Sequence, residues 1–253
     1  MTGQEGARSV LVARSREGNE EVRSRLAGTG ISCLTVETIR FEEPADWRPA
    51  DEALRGVESY DWAVFTSPRA AAVFETRLKE IGDASPKRLP KLAAVGSSTA
   101  SALERAGRRV EYIPEEYRTE ALGEGLPDDR GKRVLLFRAD IGDKALAGRL
   151  AGRGFEVTDV AAYRTTVPRG AIDPRAVSEA RVVVFASPSE VRGLRERLGE
   201  EGFGRIANLA TAACIGPVTG KAARAAGFAE VSYPRRHTVD GLVQMVKELA
   251  LHD

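Results

Sequence analysis

The feature that most limits what this chain can fold into is that it contains itself twice. VLVAR followed by RLAGTGI returns as VLLFR followed by RLAGRGF, so Arg14, Gly28 and Gly30 pair with Arg138, Gly152 and Gly154 at a constant offset of 124. Further on, Ser67, Gly96, Gly107 and Pro114 pair with Ser187, Gly216, Gly227 and Pro234 at an offset of 120. One four-residue length difference between Arg40 and Ser67 reconciles the two. Units of the βαβ type resemble one another by convergence, but identities held at two offsets with one gap point to duplication of a single unit.

The unit itself is legible. Short apolar runs, each followed by small residues and then a helical pattern, recur as SVLVAR, DWAVFTS, KLAAVGS, KRVLLFR, RVVVFAS and TAACIG. Buried parallel strands feeding helices write this pattern, so the class is α/β, doubly wound. Two copies can form two sequential domains or exchange segments. The hinge candidates are Val36 to Glu42 and Val160 to Pro168, equivalent places in the two copies. Under a pseudo-twofold axis equivalent strands can pair antiparallel, and the repeats alone leave both arrangements open.

Composition removes several classes of function. In 253 residues, 38 basic against 37 acidic side chains leave a net charge of +1, which is no footprint for nucleic acid. Cys33 and Cys214 lie far apart, form no CxxC and accompany only His237 and His252, so neither a metal site nor a disulfide framework is expected. MTGQEGARSVLVARS reaches charge before any long apolar run, which argues against a signal peptide or membrane span and for a cytoplasmic protein. No G-x-G-x-x-G follows the first strand, where LVARSREGNEEV stands, and no G-x-x-x-x-G-K-[ST] cradle exists. FTSPRA and FASPSE lack the G-x-S-x-G of a nucleophile elbow.

What remains is a set of strand-to-helix turns: TSPRA, GSSTAS, SPSE and GPVTGK. In parallel α/β sheets these are the carboxyl ends of strands, where ligands bind. A Ser or Thr there caps the following helix, and the first-turn N–H groups and positive dipole end favour an anion. Either each turn is a cap and nothing more, or together they hold several carboxylates or phosphates mainly by backbone. His237, beside Arg235 and Arg236, reads as a solvated loop residue.

The copies differ at one informative place. Ile39 in the first hinge stands as Tyr163 in the second, while Arg40 and Arg164 match. A neutral phenol, with an unperturbed pKa near ~10, donates a proton or hydrogen bond to a leaving hydroxyl at neutral pH. The competing reading is a packing tyrosine at a hinge.

VFTSPRAA, AAVGSSTASALERAG, VLLFRADIG with LAGRGFEVTDVAAYRT, VVFASPSEV, AACIGPVTGKAARAAGF and HTVDGLVQMV, in this order from Val10 to Val246, together resemble the uroporphyrinogen-III synthase family. The resemblance implies two flavodoxin-like, doubly wound parallel-sheet domains, produced by internal duplication and joined by a two-stranded antiparallel connector. Residues 1–35 and 169–253 would form the first domain, 43–159 the second, and 36–42 with 160–168 the connector, with the active site in the cleft between domains. The implied reaction closes the linear tetrapyrrole hydroxymethylbilane with loss of water and inversion of its last ring, giving uroporphyrinogen III through a spirocyclic pyrrolenine. No cofactor or metal is implied. The substrate is an octacarboxylate, for which repeated helix N-termini would be natural grips.

Carried over by position, Tyr163 would be the proton donor. Ser67, Arg69, Gly96, Ser97, Ser98 and Thr99 would be binding turns of the first repeat. Ser187, Ser189, Gly216 and Thr219 would be those of the second, with Arg14 and Arg138 at strand ends near the site. Salt bridging at a strand end explains the two arginines equally well. Two departures matter: Val218 stands where a second hydroxyl often precedes the threonine, and Glu190 stands where the first copy has Ala70. The implied protein is a monomer with transient contact to hydroxymethylbilane synthase and no nucleic-acid or membrane partner. Two rivals are a two-domain polycarboxylate- or tetrapyrrole-binding sensor without turnover, and a glycosyltransferase-like protein, for which the chain is short and nucleotide signals are lacking.

Overall fold

The computed structural model describes residues 9–81, 88–127, 130–142 and 144–251. The expected domain ends at Met1 and Asp253, and His252, lie outside these. In chain order the elements begin with β1 (Ser9–Arg14), α1 (Arg16–Leu26), β2 (Ser32–Glu37), β3 (Arg40–Glu42), α2 (Arg48–Arg55), β4 (Trp62–Phe65) and α3 (Pro68–Ile81). They continue with β5 (Lys91–Ala94), α4 (Ser97–Arg105), α5 (Thr119–Gly125), β6 (Arg133–Ala139), α6 (Lys144–Gly152) and β7 (Glu156–Thr166). The chain closes with β8 (Val182–Phe185), α7 (Pro188–Leu209), β9 (Thr211–Cys214), α8 (Pro217–Ala226), β10 (Val231–Ser232) and α9 (Val239–Leu251).

Two compact units result. One comprises the residues up to Phe41 together with those from Thr166 onward, and the other is Glu42–Thr165. The first is built on a sheet of order β10-β9-β8-β1-β2, in which every adjacent pair is parallel. The second has the order β3-β7-β6-β4-β5, with β7, β6, β4 and β5 mutually parallel. β6, β7, β4 and β5 occupy the places of β1, β2, β8 and β9, and a parallel bridge from Ala93 to Tyr112 stands where β10 stands in the first unit.

Central strands of such sheets are covered on both faces, so their residues are apolar throughout rather than alternating. In β1 the alternation is instead between two cores. Val10 and Val12 join Val182 and Val184 beneath α1 and α9, around Val22, Leu26, Leu242 and Val246. Leu11 and Ala13 join Val183 and Phe185 against α7 and α8, around Leu194, Phe203, Ile206 and Ala223. In the second unit, Trp62, Val64, Val134 and Leu136 face Leu122, Leu126, Leu146 and Leu150. Phe65, Phe74 and Phe137 form an edge-to-face triad, with centroids 5.0 to 6.3 Å apart.

Two departures from regularity have local causes. The segment Val36 to Glu42, expected as one connector strand, is interrupted. Thr38 turns inward, fully buried, with its N–H donating to Arg14 O (2.9 Å) and its hydroxyl to Ala13 O (3.0 Å), which ends β2 before β3 begins. The equivalent β7 runs unbroken. α7 is divided at Gly199, whose φ of 69° only glycine adopts without strain. No described helix is long and apolar enough to cross a membrane.

Candidate functional site

In a doubly wound sheet the ligand crevice opens at the carboxyl ends of the two neighbouring strands whose connections leave in opposite directions. In Glu42–Thr165 those strands are β6 and β4, and in the other unit β1 and β8. The site residues expected from sequence fall at these ends, at the adjacent ends of β5 and β9, or on β7.

At the end of β4, Ser67 precedes α3, and its Oγ accepts from Ala70 N (3.1 Å), a cap on the first turn. The same Oγ lies 3.0 Å from the hydroxyl of Tyr163 on β7. What aims the phenol is an irregularity in the ladder: Arg138 pairs with Ala161, but Ala139 pairs with Tyr163. One extra residue on β7 moves the later side chains to the other face of the sheet. Asp140 fixes the result, its N–H donating to Tyr163 O (3.0 Å) and its carboxylate accepting from Thr165 N (3.1 Å). Tyr163 is 8% exposed, and burial pushes its phenol above the ordinary value, opposed by the Ser67 hydrogen bond and the nearby charge of Arg69. The phenol therefore stays neutral throughout the physiological range.

Arg138, the strand-end arginine of this unit, is buried and committed internally. Its Nε and a terminal nitrogen hold both oxygens of Asp159 at 2.9 and 2.6 Å, and the other terminal nitrogen donates to Ala139 O. The salt-bridged strand end is the reading that describes it. At the end of β5, Gly96 is the N-cap of α4, with Ser97 and Ser98 exposed and Thr99 buried. Thr99 Oγ1 has no hydrogen-bond partner among the described residues.

The other unit brings Arg14, Ser187 and a residue sequence reasoning did not credit, Glu190, to the ends of β1 and β8. Ser187 and Glu190 form a reciprocal capping box. Ser187 Oγ accepts from Glu190 N, and the Glu190 carboxylate accepts from the N–H groups of Ser187 (3.1 Å) and Ala186. Arg14 Nε stands 3.5 Å from Glu190, an ionic contact without hydrogen-bond geometry, while Arg14 also donates to Gly18 O and lies 3.7 Å from Glu21. Ser189 accepts from Arg192. Thus the turn SPSE carries its own carboxylate where SPRA carries Ala70. The signal was present in sequence as an S-x-x-E spacing. Asn19, also unremarked in sequence, stitches the same end: its side chain accepts from Arg14 N (3.0 Å) and donates to Val36 O (2.9 Å). At the end of β9, Gly216 caps α8 and Thr219 is buried, with the same burial sequence as around Gly96 and Thr99.

Glu190 is fully enclosed, and burial outweighs Arg14 and the two backbone donors to push its carboxyl up to about 7. An unfolded glutamate titrates near ~4.3, so between these values the folded chain binds the extra proton. Stability from this group is present at low pH and lost as pH rises through about 7. Glu190→Gln should remove that slope. In urea unfolding at pH 5 and pH 8, the fall in stability of the unaltered chain should exceed that of the variant by on the order of 2 kcal/mol. Parallel curves would show that Glu190 stays ionised in the folded chain.

Among the described residues no cluster of His, Cys, Asp and Glu is suited to a metal. Cys33 and Cys214 are free, and burial raises the Cys214 thiol to about 12, which makes it an inert core group.

Comparison with known proteins gives one consistent result. The family model described as "Uroporphyrinogen-III synthase HemD" matches residues 20–244. The chain is 30% identical to "Uroporphyrinogen-III synthase, chloroplastic" of rice, over 94% of this chain and 80% of that one. It is 26% identical to "Uroporphyrinogen-III synthase" of Synechococcus elongatus, over 96% of both. In fold it is similar to a mutant uroporphyrinogen III synthase from Thermus thermophilus, with a TM-score of 0.72, 20% identity and coverage of 97% and 99%. It is also similar to the enzyme from Helicobacter pylori, with a TM-score of 0.62, 16% identity and coverage of 95% and 99%. The parallel sheets, the repeated strand-end turns and a match over most of the sequence lead to one conclusion: the chain belongs to the uroporphyrinogen-III synthase family.

Proposed function

We propose that this chain is an enzyme of heme biosynthesis that converts hydroxymethylbilane to uroporphyrinogen III. The family match carries the reaction, and the contact between Tyr163 and Ser67 at the β6/β4 end of Glu42–Thr165 supports the assignment of its proton donor. The terminal hydroxyl of the substrate leaves as water once protonated, and the Tyr163 phenol is the donor. The azafulvenium that remains is attacked by the substituted carbon of the last ring. The resulting spirocyclic pyrrolenine fragments and recloses at the free position of that ring, and loss of a proton there restores aromaticity and returns the proton to the donor. The net change is loss of one water, redox-neutral, and calls for no cofactor.

Uncatalysed closure attacks the free position directly and gives isomer I, so the protein contributes conformational selection and help to the leaving hydroxyl. Substrate carboxylates are received at the strand-end turns. Those around Gly96 to Thr99 and Gly216 to Thr219 are suited to it by helix starts that no side chain caps, with Ser97 and Ser98, and Pro217 and Val218, exposed. We assign less of this role to Ser187 and Ser189, because Glu190 already occupies that turn. The equal strand order of the two sheets supports an origin by duplication of a flavodoxin-like unit. In this reading β3 and the end of β7 form the antiparallel connector, and a monomer suffices.

The test supplies freshly generated hydroxymethylbilane, quenches quickly with oxidant, and separates uroporphyrin I from III by chromatography. Isomer III should dominate only when the protein is present. Isomer I alone, from folded protein, would leave a sensor that binds tetrapyrrole carboxylates without turnover.

A further inference from the structure

Arg235, Arg236 and His237 have no part in the function above, yet the loop that carries them, between β10 and α9, is pinned at several points. The His237 ring lies over Gly216, where a Cβ would stand 3.3 Å from its Cγ, and Tyr233 lies over Gly220 at 3.1 Å. The two rings meet edge to face, with centroids 6.3 Å apart. Thr238 donates its N–H to Arg236 O (2.8 Å), and its hydroxyl accepts from Gly241 N (3.2 Å), capping α9. A Cβ at Gly241 would collide with Arg236 O, so the backbone passes close to the helix. Arg235 and Arg236 themselves are exposed, and no ion pair joins them to a described residue. A rigid backbone thus presents two adjacent guanidinium groups beside the start of α8 at the carboxyl end of β9.

The other repeat supplies an internal control. Its loop before α5 bends at the same positions, and Tyr117 covers Gly96 as His237 covers Gly216, with a Cβ there 3.0 Å from the ring. Where the first unit has Arg235 and Arg236, this loop has Glu115 and Glu116. A loop that takes the same course with either sign does not need the charge in order to fold. The exposed arginine pair is therefore free to act on something outside the chain, whereas in the matching loop Glu116 is ion-paired with Arg118.

We propose that Arg235 and Arg236, with His237 beside them, receive carboxylate arms of the substrate, and that the matching loop, with Glu115 in place of the first arginine and Glu116 ion-paired to Arg118, offers no such grip. The inference rests on the synthase reading, since it is that reaction's substrate that carries many carboxylates. Planar guanidinium forks match carboxylates two bonds at a time. Because these arginines are exposed, their effect falls on capture of the substrate and its salt dependence rather than on the chemical step.

The test copies the other repeat into this one. Arg235→Glu with Arg236→Glu should raise KM for hydroxymethylbilane by about tenfold or more at low salt, with kcat within about threefold and the melting temperature unchanged. Arg235→Lys with Arg236→Lys, which keeps the charge but loses the fork, should raise KM by clearly less than the glutamate pair does. KM of the unaltered chain should climb with ionic strength more steeply than that of the glutamate variant. A KM within twofold for the glutamate variant, or equal salt dependence, would overturn the proposal. Failure of the underlying reading looks different, because the unaltered chain would then form no isomer III.

Discussion

Tyr163→Phe is expected to lower the saturated rate of isomer III formation by about 10² to 10³, the usual contribution of a placed general acid, while KM changes by less than about threefold. The substitution removes one oxygen and leaves the ring packed. The Ser67 hydroxyl loses a partner but still accepts from Ala70 N, so no buried polar group is orphaned. Stability should shift by less than about 1 kcal/mol, which thermal melting checks. The pH profile gives an independent readout. Burial holds the phenol above its ordinary value, so its protonated form persists and the rate should not decline between pH 6 and 9 through this group. A variant that keeps kcat within a factor of three would reduce Tyr163 to a packing residue, and the leaving hydroxyl would have to be protonated by solvent.

That this tyrosine stands out in the sequence shows what kind of information a duplicated chain holds. Comparing Ile39 with Tyr163 is a comparison of one structural position with itself, so the difference stands out against shared packing demands. The strand-and-turn units were legible for a related reason: runs such as VVVF and WAVF must be apolar at every residue because both faces of the sheet are covered. The irregularity that aims Tyr163 was not legible, because a register change on β7 depends on how Asp140 and Ala139 pair with it, and neither residue announces that alone. Glu190 was visible as a departure but not as a buried cap. Its enclosure comes from the meeting of β1, β8 and α7, which are brought together from opposite ends of the sequence. The strand-end arginines divide similarly. Their repetition was plain, whereas Asp159 as the partner of Arg138 and Glu190 as that of Arg14 are unlike choices that the repeat could not predict.

The same asymmetry sets the largest expected effect on stability. Gly193 lies in α7 where that helix crosses the inward turn at Thr38, and a Cβ on it would overlap the Thr38 carbonyl oxygen deep inside van der Waals contact. The neighbour is backbone, and it is held from the other side by the hydrogen bonds of Thr38 to Ala13 and Arg14. Neither partner can yield by a simple change of rotamer. Alanine in place of glycine within a helix ordinarily stabilises by about 1 kcal/mol, so the sign of the measured effect decides between propensity and contact. We expect contact to win, because forcing a methyl into a filled interior costs about 1 to 3 kcal/mol and more where backbone must move. Gly193→Ala should thus destabilise by about 3 kcal/mol, a fall in melting temperature of roughly 6 to 12 °C for a chain of this size. The matching position of the other repeat is Val73, so the close approach belongs to one repeat only, and Val73→Ala should give no comparable clash. Its loss should be limited to the transfer of two methyl groups, on the order of 1 kcal/mol. Equal or greater stability of Gly193→Ala would mean that α7 and the Thr38 turn separate freely, and that the interruption between β2 and β3 is not held by this packing.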